Sequence, residues 1–248
     1  MGKRTSFVIC GTQKGGTTAL ADQLRLHPNL FIPAQKELHF FDDENRDWSK
    51  PNYTDYHRLF NSATAHQHWG EATPIYMYWD TAPARIWNYN PDMRLIVILR
   101  NPLTRAYSHW AMERQRGAES MDFGSALNKE AERCLEARPL QHRVFSYQDR
   151  GFYCHQLRRL WRLFGRDTLL VLRQEELRQE PQASLNRVCD HLGVDRIEAE
   201  ERMERHVGSY PEPMPTHLYE QLRQVFWHEI CQLETLLDWD CSSWLRAA

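Results

Sequence analysis

Short apolar runs alternate along the chain with longer segments whose apolar residues recur at helical spacing. The apolar runs have the length and β-branched content of strands, and the run RLIVIL is typical of a parallel strand covered on both faces. The predicted strands are residues 5–11, 69–73, 94–99 and 168–172. The predicted helices are residues 17–27, 52–60, 101–116, 122–137, 150–164, 181–192 and 216–237. Strands that alternate with helices predict an α/β fold with a mostly parallel sheet flanked by helices.

The composition predicts one globular domain that covers residues 1–248. With 42% hydrophobic residues and no linker rich in Gly, Ser or Pro, the chain has the content of a single large core. Its 31 Lys and Arg residues against 33 Asp and Glu give a net charge of −2, so we expect no nucleic-acid partner. No apolar run approaches the roughly 18 residues of a membrane span. The six cysteines form no CxxC pair and no secretion signal is recognised, so we expect reduced thiols and a cytoplasmic protein.

The segment after the first predicted strand has the features of a phosphate-binding turn. It reads GTQKGGTT over residues 11–18. Gly15 and Gly16 let the backbone approach an anion, and the following helix presents N–H groups with the positive end of its dipole. Lys14 adds a charge, but because it precedes the glycines the turn is not a Walker A loop, which ends in Gly-Lys-Ser/Thr. A tight turn with a solvated lysine is the alternative that this segment alone leaves open.

A second candidate anion site follows the strand RLIVIL. Arg100 comes directly after this strand, at the carboxyl end where doubly wound folds place ligands. Its guanidinium can hold a phosphate with two hydrogen bonds, and Ser108 and Arg105 on the next helix are further donors. Taken alone, Arg100 and Ser108 are also consistent with a helix cap and an ordinary helical serine. Two anion sites at two strand ends of one sheet fit a nucleotide that carries phosphates at both ends.

These two segments resemble those of the sulfotransferases that use PAPS (3′-phosphoadenosine-5′-phosphosulfate). Residues 13–18 are similar to the family's 5′-phosphosulfate loop, and residues 100–108 are similar to its 3′-phosphate element. Residues 36–42 (KELHFFD) and 71–76 (EATPIY) resemble the branch that contains heparan sulfate N- and 3-O-sulfotransferases and many bacterial relatives. Further similarity to that branch lies at residues 150–157 and 240–244. The resemblance therefore covers nearly the whole chain.

The resemblance implies an α/β fold akin to that of nucleotide kinases, and the transfer of a sulfuryl group from PAPS to an acceptor, with PAP as the product. It implies that Lys14 contacts the bridging oxygen of the donor and stabilises the leaving group. Glu37 falls where this branch places its catalytic base, with His39 beside it. The other implied nucleotide contacts are Gly15, Gly16, Thr17 and Thr18 at the 5′ end, Arg100 and Ser108 at the 3′-phosphate, and Phe152 and Tyr153 near the adenine.

Sulfuryl transfer to a hydroxyl needs a base and a stabilised leaving oxygen. We take Glu37 as the base, with His39 and Glu71 as rivals for that role. We expect no metal, because cationic side chains stabilise the leaving group and the loop has no Walker-type magnesium serine. Two departures from the branch stand out. Ala72 replaces its usual lysine, which disfavours a sulfated polysaccharide, and residues 206–210 replace the loop that covers the nucleotide.

Two other functions fit parts of this pattern. A P-loop nucleotide kinase or NTPase would need magnesium and a Gly-Lys-Ser/Thr loop. A nucleotide-binding protein without catalytic activity would keep the fold, although Lys14 and Glu37 count against it. The acceptor stays open among the hydroxyls of a sugar, a phenol or a natural product, which makes the partner a carbohydrate or a small molecule. The oligomeric state has no visible signature in the sequence.

Overall fold

A five-stranded, all-parallel sheet forms the centre of the fold in the computed structural model, which describes residues 3–200 and 213–246. The strands are β1 (Phe7–Gly11), β2 (Leu30–Phe31), β3 (His68–Ala72), β4 (Arg94–Leu99) and β5 (Leu169–Arg173). Their spatial order is β2-β3-β1-β4-β5. In this register Phe7 of β1 pairs with Gly70 on one side and with Arg94 on the other. The predicted α/β fold with a parallel sheet is confirmed.

The helices follow most of the predicted segments. They are α1 (Thr17–Arg25), α2 (Thr54–Arg58), α3 (Ala82–Tyr89), α4 (Pro102–Gln115), α5 (Phe123–Glu136), α6 (Tyr153–Phe164), α7 (Gln174–Gln179), α8 (Pro181–Leu192) and α9 (Thr216–Leu237). The sequence pattern did not predict α3, whose Pro83 in the first turn resembles a break, or α7, in which Leu177 is the one buried residue. It also did not predict β2, because two residues carry no periodicity.

The chain separates into two compact units, Met1–Leu99 with Arg159–His206 and Arg100–Arg158 with Val207–Ala248. The assignment of residues 1–248 to one domain stays a prediction, and each unit is described by itself. Residues 206–210, expected to replace the loop over the nucleotide, lie outside the described residues. Within the described ranges, no helix combines the length and the apolar character that crossing a membrane requires.

The first unit holds the whole sheet and a core in which helices α1 and α8 pack on it. All five residues of β1 are buried, as are the last five of β4, which explains their continuous apolar sequence. The core joins side chains of the strands and the two helices, among them Phe7, Ile9, Leu20, Leu24, Ile96, Ile98, Leu172, Leu185 and Val188. Because all strands are parallel, the carboxyl ends of β1, β3 and β4 lie at the same edge of the sheet.

The second unit is helical and is organised around the start of α4. Asn101 caps this helix, because its side chain accepts a hydrogen bond from Leu103 N. The same side chain donates a hydrogen bond to the carbonyl of Trp244 at 3.0 Å. Arg105 is fully buried and donates to the carbonyl of Tyr147. It is thus engaged with the helical core, although the sequence made it a candidate phosphate donor. A Cβ on Gly151 would lie 2.6 Å from the ring of Phe226, so α9 packs closely on this turn.

Candidate active site

The glycine-rich turn between β1 and α1 packs tightly against the end of β4. Both the backbone N–H and the hydroxyl of Thr12 donate to the carbonyl of Ile98, at 3.0 and 2.8 Å. Gly15 N then donates to Thr12 O at 2.9 Å, which closes the turn. A Cβ on Gly15 would lie 2.5 Å from the Ile98 carbonyl oxygen, so a larger residue cannot occupy this position without displacing the turn. The turn is therefore packed directly on the backbone of β4.

The start of α1 is suited to hold an anion. Gly16 precedes the helix with a φ of 101°, in the left-handed region that glycine adopts without strain, and it provides no side-chain cap. A helix start without a side-chain cap leaves backbone N–H groups for a ligand and adds the positive end of the helix dipole. Thr17 is buried and Thr18 half-buried in the first turn. These features place the implied 5′-phosphosulfate contacts on one structural element.

The three residues for which the resemblance implies a catalytic role have strained backbone conformations. Lys14, Glu37 and His39 have φ values of 69°, 50° and 51°, in the left-handed region that side chains other than glycine rarely adopt. In the described part of the chain, one other non-glycine residue, Asp238 at the end of α9, has a positive φ. Such strain costs about 1–3 kcal/mol per residue and concentrates at functional sites. The backbone at Lys14 is supported by Gln174, whose amide donates to the Lys14 carbonyl at 3.4 Å.

The segment that carries Glu37 is held against the end of β3. Glu37 N donates to the carbonyl of Ala72 at 3.2 Å, and Leu38 N donates to Thr73 Oγ1 at 2.9 Å. Two residues later, Phe40 N donates to the hydroxyl of Tyr76 at 3.0 Å. The segment therefore lies at the same edge of the sheet as the glycine-rich turn.

Glu37, His39 and Asp42 form a row of carboxylate, imidazole and carboxylate. His39 Nδ1 lies 2.9 Å from Asp42 Oδ2, and His39 Nε2 lies 3.4 Å from Glu37 Oε2. Asp42 is buried, whereas Glu37 and His39 keep about a third and just under half of their side chains exposed. The hydrogen bond to Asp42, with that to Glu37, raises the pKa of His39 to about 9. The imidazole therefore carries a proton at neutral pH and cannot accept another.

Glu71 lies beneath this row in a closed cage of hydroxyl groups. Its carboxylate is buried and accepts hydrogen bonds from Tyr56 and Thr73, both at 2.6 Å, while the hydroxyl of Tyr76 lies 3.3 Å from it. Burial raises the pKa of Glu71 to about 7. The hydroxyls of Thr73 and Tyr76 also accept from the backbone of the segment above them, since a hydroxyl is both donor and acceptor. Glu71 thus supports the segment and is buried from solvent.

Lys36 makes a contact that the sequence pattern did not reveal. Its ammonium donates to the hydroxyl of Thr18 at 2.6 Å, which joins the segment that carries Glu37 to the first turn of α1. The motif KELHFFD includes Lys36, but two residues 18 positions apart show no relation in a linear pattern. The first unit therefore brings the predicted 5′-phosphosulfate contacts and the predicted base together.

The second unit groups the residues expected at the 3′-phosphate and the adenine. Arg100 is half-buried, and its Nε donates to Thr104 Oγ1 at 3.1 Å. Tyr153 is buried and its hydroxyl donates to the Arg100 carbonyl at 2.9 Å, which ties the two predicted subsites together. Ser108 is buried in α4, and the ring of Phe152 packs on Phe226 with centroids 5.2 Å apart. Within residues 3–200 and 213–246, no group of three or more His, Cys, Asp or Glu side chains is placed to hold a metal ion.

Comparison with known proteins identifies the family. A model of the sulfotransferase domain family matches residues 4–210. The chain is 32% identical to heparan sulfate glucosamine 3-O-sulfotransferase 6 of Mus musculus over 193 residues, which are 77% of this chain and 52% of that protein. It is 33% identical to heparan sulfate glucosamine 3-O-sulfotransferase 3B1 of Homo sapiens, over 77% of this chain and 46% of that protein. The chain thus spans about half the length of these curated relatives.

Solved structures show the same fold. The crystal structure of a sulfotransferase from Alicyclobacillus acidocaldarius is 28% identical, with a TM-score of 0.85 over 99% of this chain and 100% of that chain. Mouse sulfotransferase SULT7A1, solved as a complex with PAP, is 13% identical, with a TM-score of 0.58 over 92% of this chain and 85% of that chain. The second likeness is one of fold alone.

Proposed function

The chain belongs to the sulfotransferase domain family, and we propose that it transfers a sulfuryl group from PAPS to a hydroxyl of a carbohydrate or small-molecule acceptor. The observation that carries this proposal is the contact between two elements of the first unit. The glycine-rich turn packs on β4 and leads into a helix start without a side-chain cap, and the Lys36–Thr18 hydrogen bond joins this helix start to the strained segment that carries Glu37. A donor subsite next to a base is what sulfuryl transfer requires.

Glu37 is the base in this proposal. It takes the proton of the acceptor hydroxyl while the acceptor oxygen bonds to sulfur, and the bond between sulfur and the 5′-phosphate oxygen breaks. PAPS supplies the activated sulfuryl group, and PAP leaves with the electron pair of the broken bond. Lys14 and the N–H groups at the start of α1 stabilise the charge that develops on the leaving oxygen. Gly15 lets the turn pack on the end of β4, and this packing fixes the backbone that leads into the start of α1.

The two rivals for the base role are less suited to it. His39 carries a proton at neutral pH, because its pKa is raised to about 9 by hydrogen bonds to Asp42 and Glu37. Glu71 is buried, and hydroxyl groups occupy its carboxylate oxygens. In this proposal His39 orients Glu37 and Glu71 fixes the backbone below them.

The second unit supplies the remaining nucleotide contacts in this proposal. Arg100 and Ser108 hold the 3′-phosphate, and Phe152 and Tyr153 lie near the adenine. The support is the hydrogen bond from the Tyr153 hydroxyl to the Arg100 carbonyl, which joins one residue from each of the two predicted subsites. The named relatives are 3-O-sulfotransferases of heparan sulfate glucosamine, so sugar hydroxyls head the list of acceptors to test. The cytoplasmic location stays a prediction from the cysteine pattern.

Transfer from radiolabelled PAPS to a panel of sugars, phenols and natural products tests the proposal. We expect Lys14→Ala to lower kcat on the order of 10²–10³-fold and Glu37→Gln to lower it about 10²–10⁴-fold. The matched controls are Lys129→Ala and Glu132→Gln, an exposed ion pair on α5, which should leave turnover unchanged. Near-normal turnover of Glu37→Gln would remove the base assignment.

Nucleotide binding provides a test that needs no acceptor. PAP should raise the melting temperature of the wild-type protein, whereas ATP with magnesium, the ligand of a P-loop kinase, should not. In calorimetry, Arg100→Ala should weaken PAP about tenfold or more, and the exposed Arg58→Ala should not. Unchanged PAP affinity of Arg100→Ala would remove the 3′-phosphate assignment.

A further inference from the structure

The glycine-rich turn carries less positive charge than its proposed ligand demands. Lys14 is the one charged residue between Gly11 and Thr18. The proposed donor presents both a sulfuryl group and a phosphate at this end, and transfer moves negative charge among their oxygens. The donors assigned to this end in the proposed function are Lys14 and the N–H groups at the start of α1. A second cation at this end of the unit would share the stabilisation of that charge.

The structure places such a cation at the first turn of α1. Lys36 Nζ donates to Thr18 Oγ1 at 2.6 Å, so its charge lies at the positive end of the helix dipole. An ammonium has three N–H donors, and the threonine hydroxyl accepts one of them. A cation beside a helix start is unfavourable unless an anion joins it. The position of Lys36 therefore matches an anion-binding role.

The backbone around Lys36 fixes where its side chain starts. Glu37 N donates to the Ala72 carbonyl at 3.2 Å, and Leu38 N donates to Thr73 Oγ1 at 2.9 Å. Glu37 itself has a φ of 50°, so the segment turns sharply directly after Lys36. One short segment consequently delivers an ammonium to the helix start and a carboxylate next to it. The segment that carries the proposed base therefore also carries this cation.

We propose that Lys36 is a further catalytic residue, whose ammonium contacts a non-bridging oxygen of the sulfuryl group during transfer. This inference rests on the proposed function. In this step the acceptor proton goes to Glu37, and the leaving oxygen is stabilised by Lys14. The alternative is a strut, in which Lys36 only ties its segment to α1 through Thr18. The two roles differ in whether the loss of Lys36 still lowers kcat after the Thr18 hydroxyl has been removed.

A double-mutant cycle separates a catalytic cation from a strut. The variants are Lys36→Met, Thr18→Val and their combination, with kcat and the KM for PAPS measured for each. We expect Lys36→Met to lower kcat on the order of 10²–10³-fold, and to do so in the Thr18→Val background as well. Lys36→Arg, which keeps the charge, should restore part of the loss. If Lys36→Met has no further effect once the Thr18 hydroxyl is gone, Lys36 is a strut and the proposal is overturned.

Controls distinguish a failure of this inference from a failure of the proposed function. Lys50→Met, at an exposed lysine of the same unit, should leave kcat and KM unchanged. If the wild-type protein transfers sulfuryl groups and Lys36→Met retains its turnover, the Lys36 assignment alone fails. If the wild-type protein neither binds PAP in calorimetry nor transfers from PAPS, the proposed function itself fails. Should Lys36→Met lose its cooperative thermal transition, Lys36→Gln and Lys36→Arg carry the same comparison.

Discussion

A single methyl group at Gly15 should disable the glycine-rich turn. The Cβ of an alanine there would lie 2.5 Å from the Ile98 carbonyl oxygen and 2.7 Å from Thr12 Oγ1. Carbon and oxygen atoms that are not bonded keep roughly 3.3 Å apart, so the turn must move away from β4 by about 0.8 Å. Rotation of a side chain does not relieve this contact, because one obstructing atom belongs to the backbone of a buried strand.

The magnitude follows from the contacts that this displacement strains. Overpacking at a tight site costs about 1–3 kcal/mol. The two hydrogen bonds from Thr12 to the Ile98 carbonyl, at 2.8 and 3.0 Å, lengthen as the turn moves, and each contributes about 0.5–1.5 kcal/mol. We therefore expect Gly15→Ala to lower the free energy of unfolding by about 2–4 kcal/mol. PAP affinity should fall about tenfold or more, because the N–H groups of the turn no longer point at one place.

Urea denaturation and calorimetry with PAP measure the two effects separately. The matched control is Gly124→Ala in the first turn of α5, where the nearest atoms to a new Cβ lie 3.4 Å away, an ordinary contact. The free energy of unfolding of this control should equal that of the wild-type protein or exceed it by up to about 1 kcal/mol, since alanine favours the helix. A Gly15→Ala protein with wild-type stability and wild-type PAP affinity would refute the close packing of the turn on β4.

Four further predictions concern protons and metals. Asp42→Asn removes the strongest hydrogen bond that raises the pKa of His39, so the pKa of the imidazole measured by NMR should fall by about one unit or more. An unchanged pKa of His39 would contradict its hydrogen bond to Asp42. Because the pKa of His39 is raised from 6.5 to about 9 in the folded protein, its contribution to stability is full below pH 6.5 and is lost as the pH rises through about 9. Burial raises the pKa of Glu71 from 4.5 to about 7, so the folded state holds a proton that the unfolded state releases, and stability should fall on the order of 3 kcal/mol between these pH values. Urea denaturation of Glu71→Gln should lack this fall, and an identical pH dependence would place the carboxyl in water. Dialysis against EDTA should leave PAPS-dependent turnover within about twofold of its starting value, whereas a large loss that magnesium restores would favour a metal-dependent transfer.

Local sequence determined four of the five strands, the turn after β1 and most of the helices. The continuous apolar runs of β1 and β4 are buried on both faces, and such burial excludes the polar alternation of a half-exposed strand. The closure of the turn is also a local property, since Gly15 N donates to the carbonyl of Thr12 three positions away. These features depend on residues within a few positions of one another, which is why a linear pattern contains them.

The tertiary structure alone decided which residues share an environment. Chain order does not give the strand order β2-β3-β1-β4-β5, because crossovers through helices allow several orders with the same sequence pattern. The charge on His39 depends on hydrogen-bond partners that the fold brings next to it. The burial of Glu71 likewise depends on partners from other parts of the chain, such as Tyr56. The contact between Lys36 and Thr18 belongs to the same class. Hydrogen bonds and desolvation act through space over a few ångströms, and only the folded chain sets those distances.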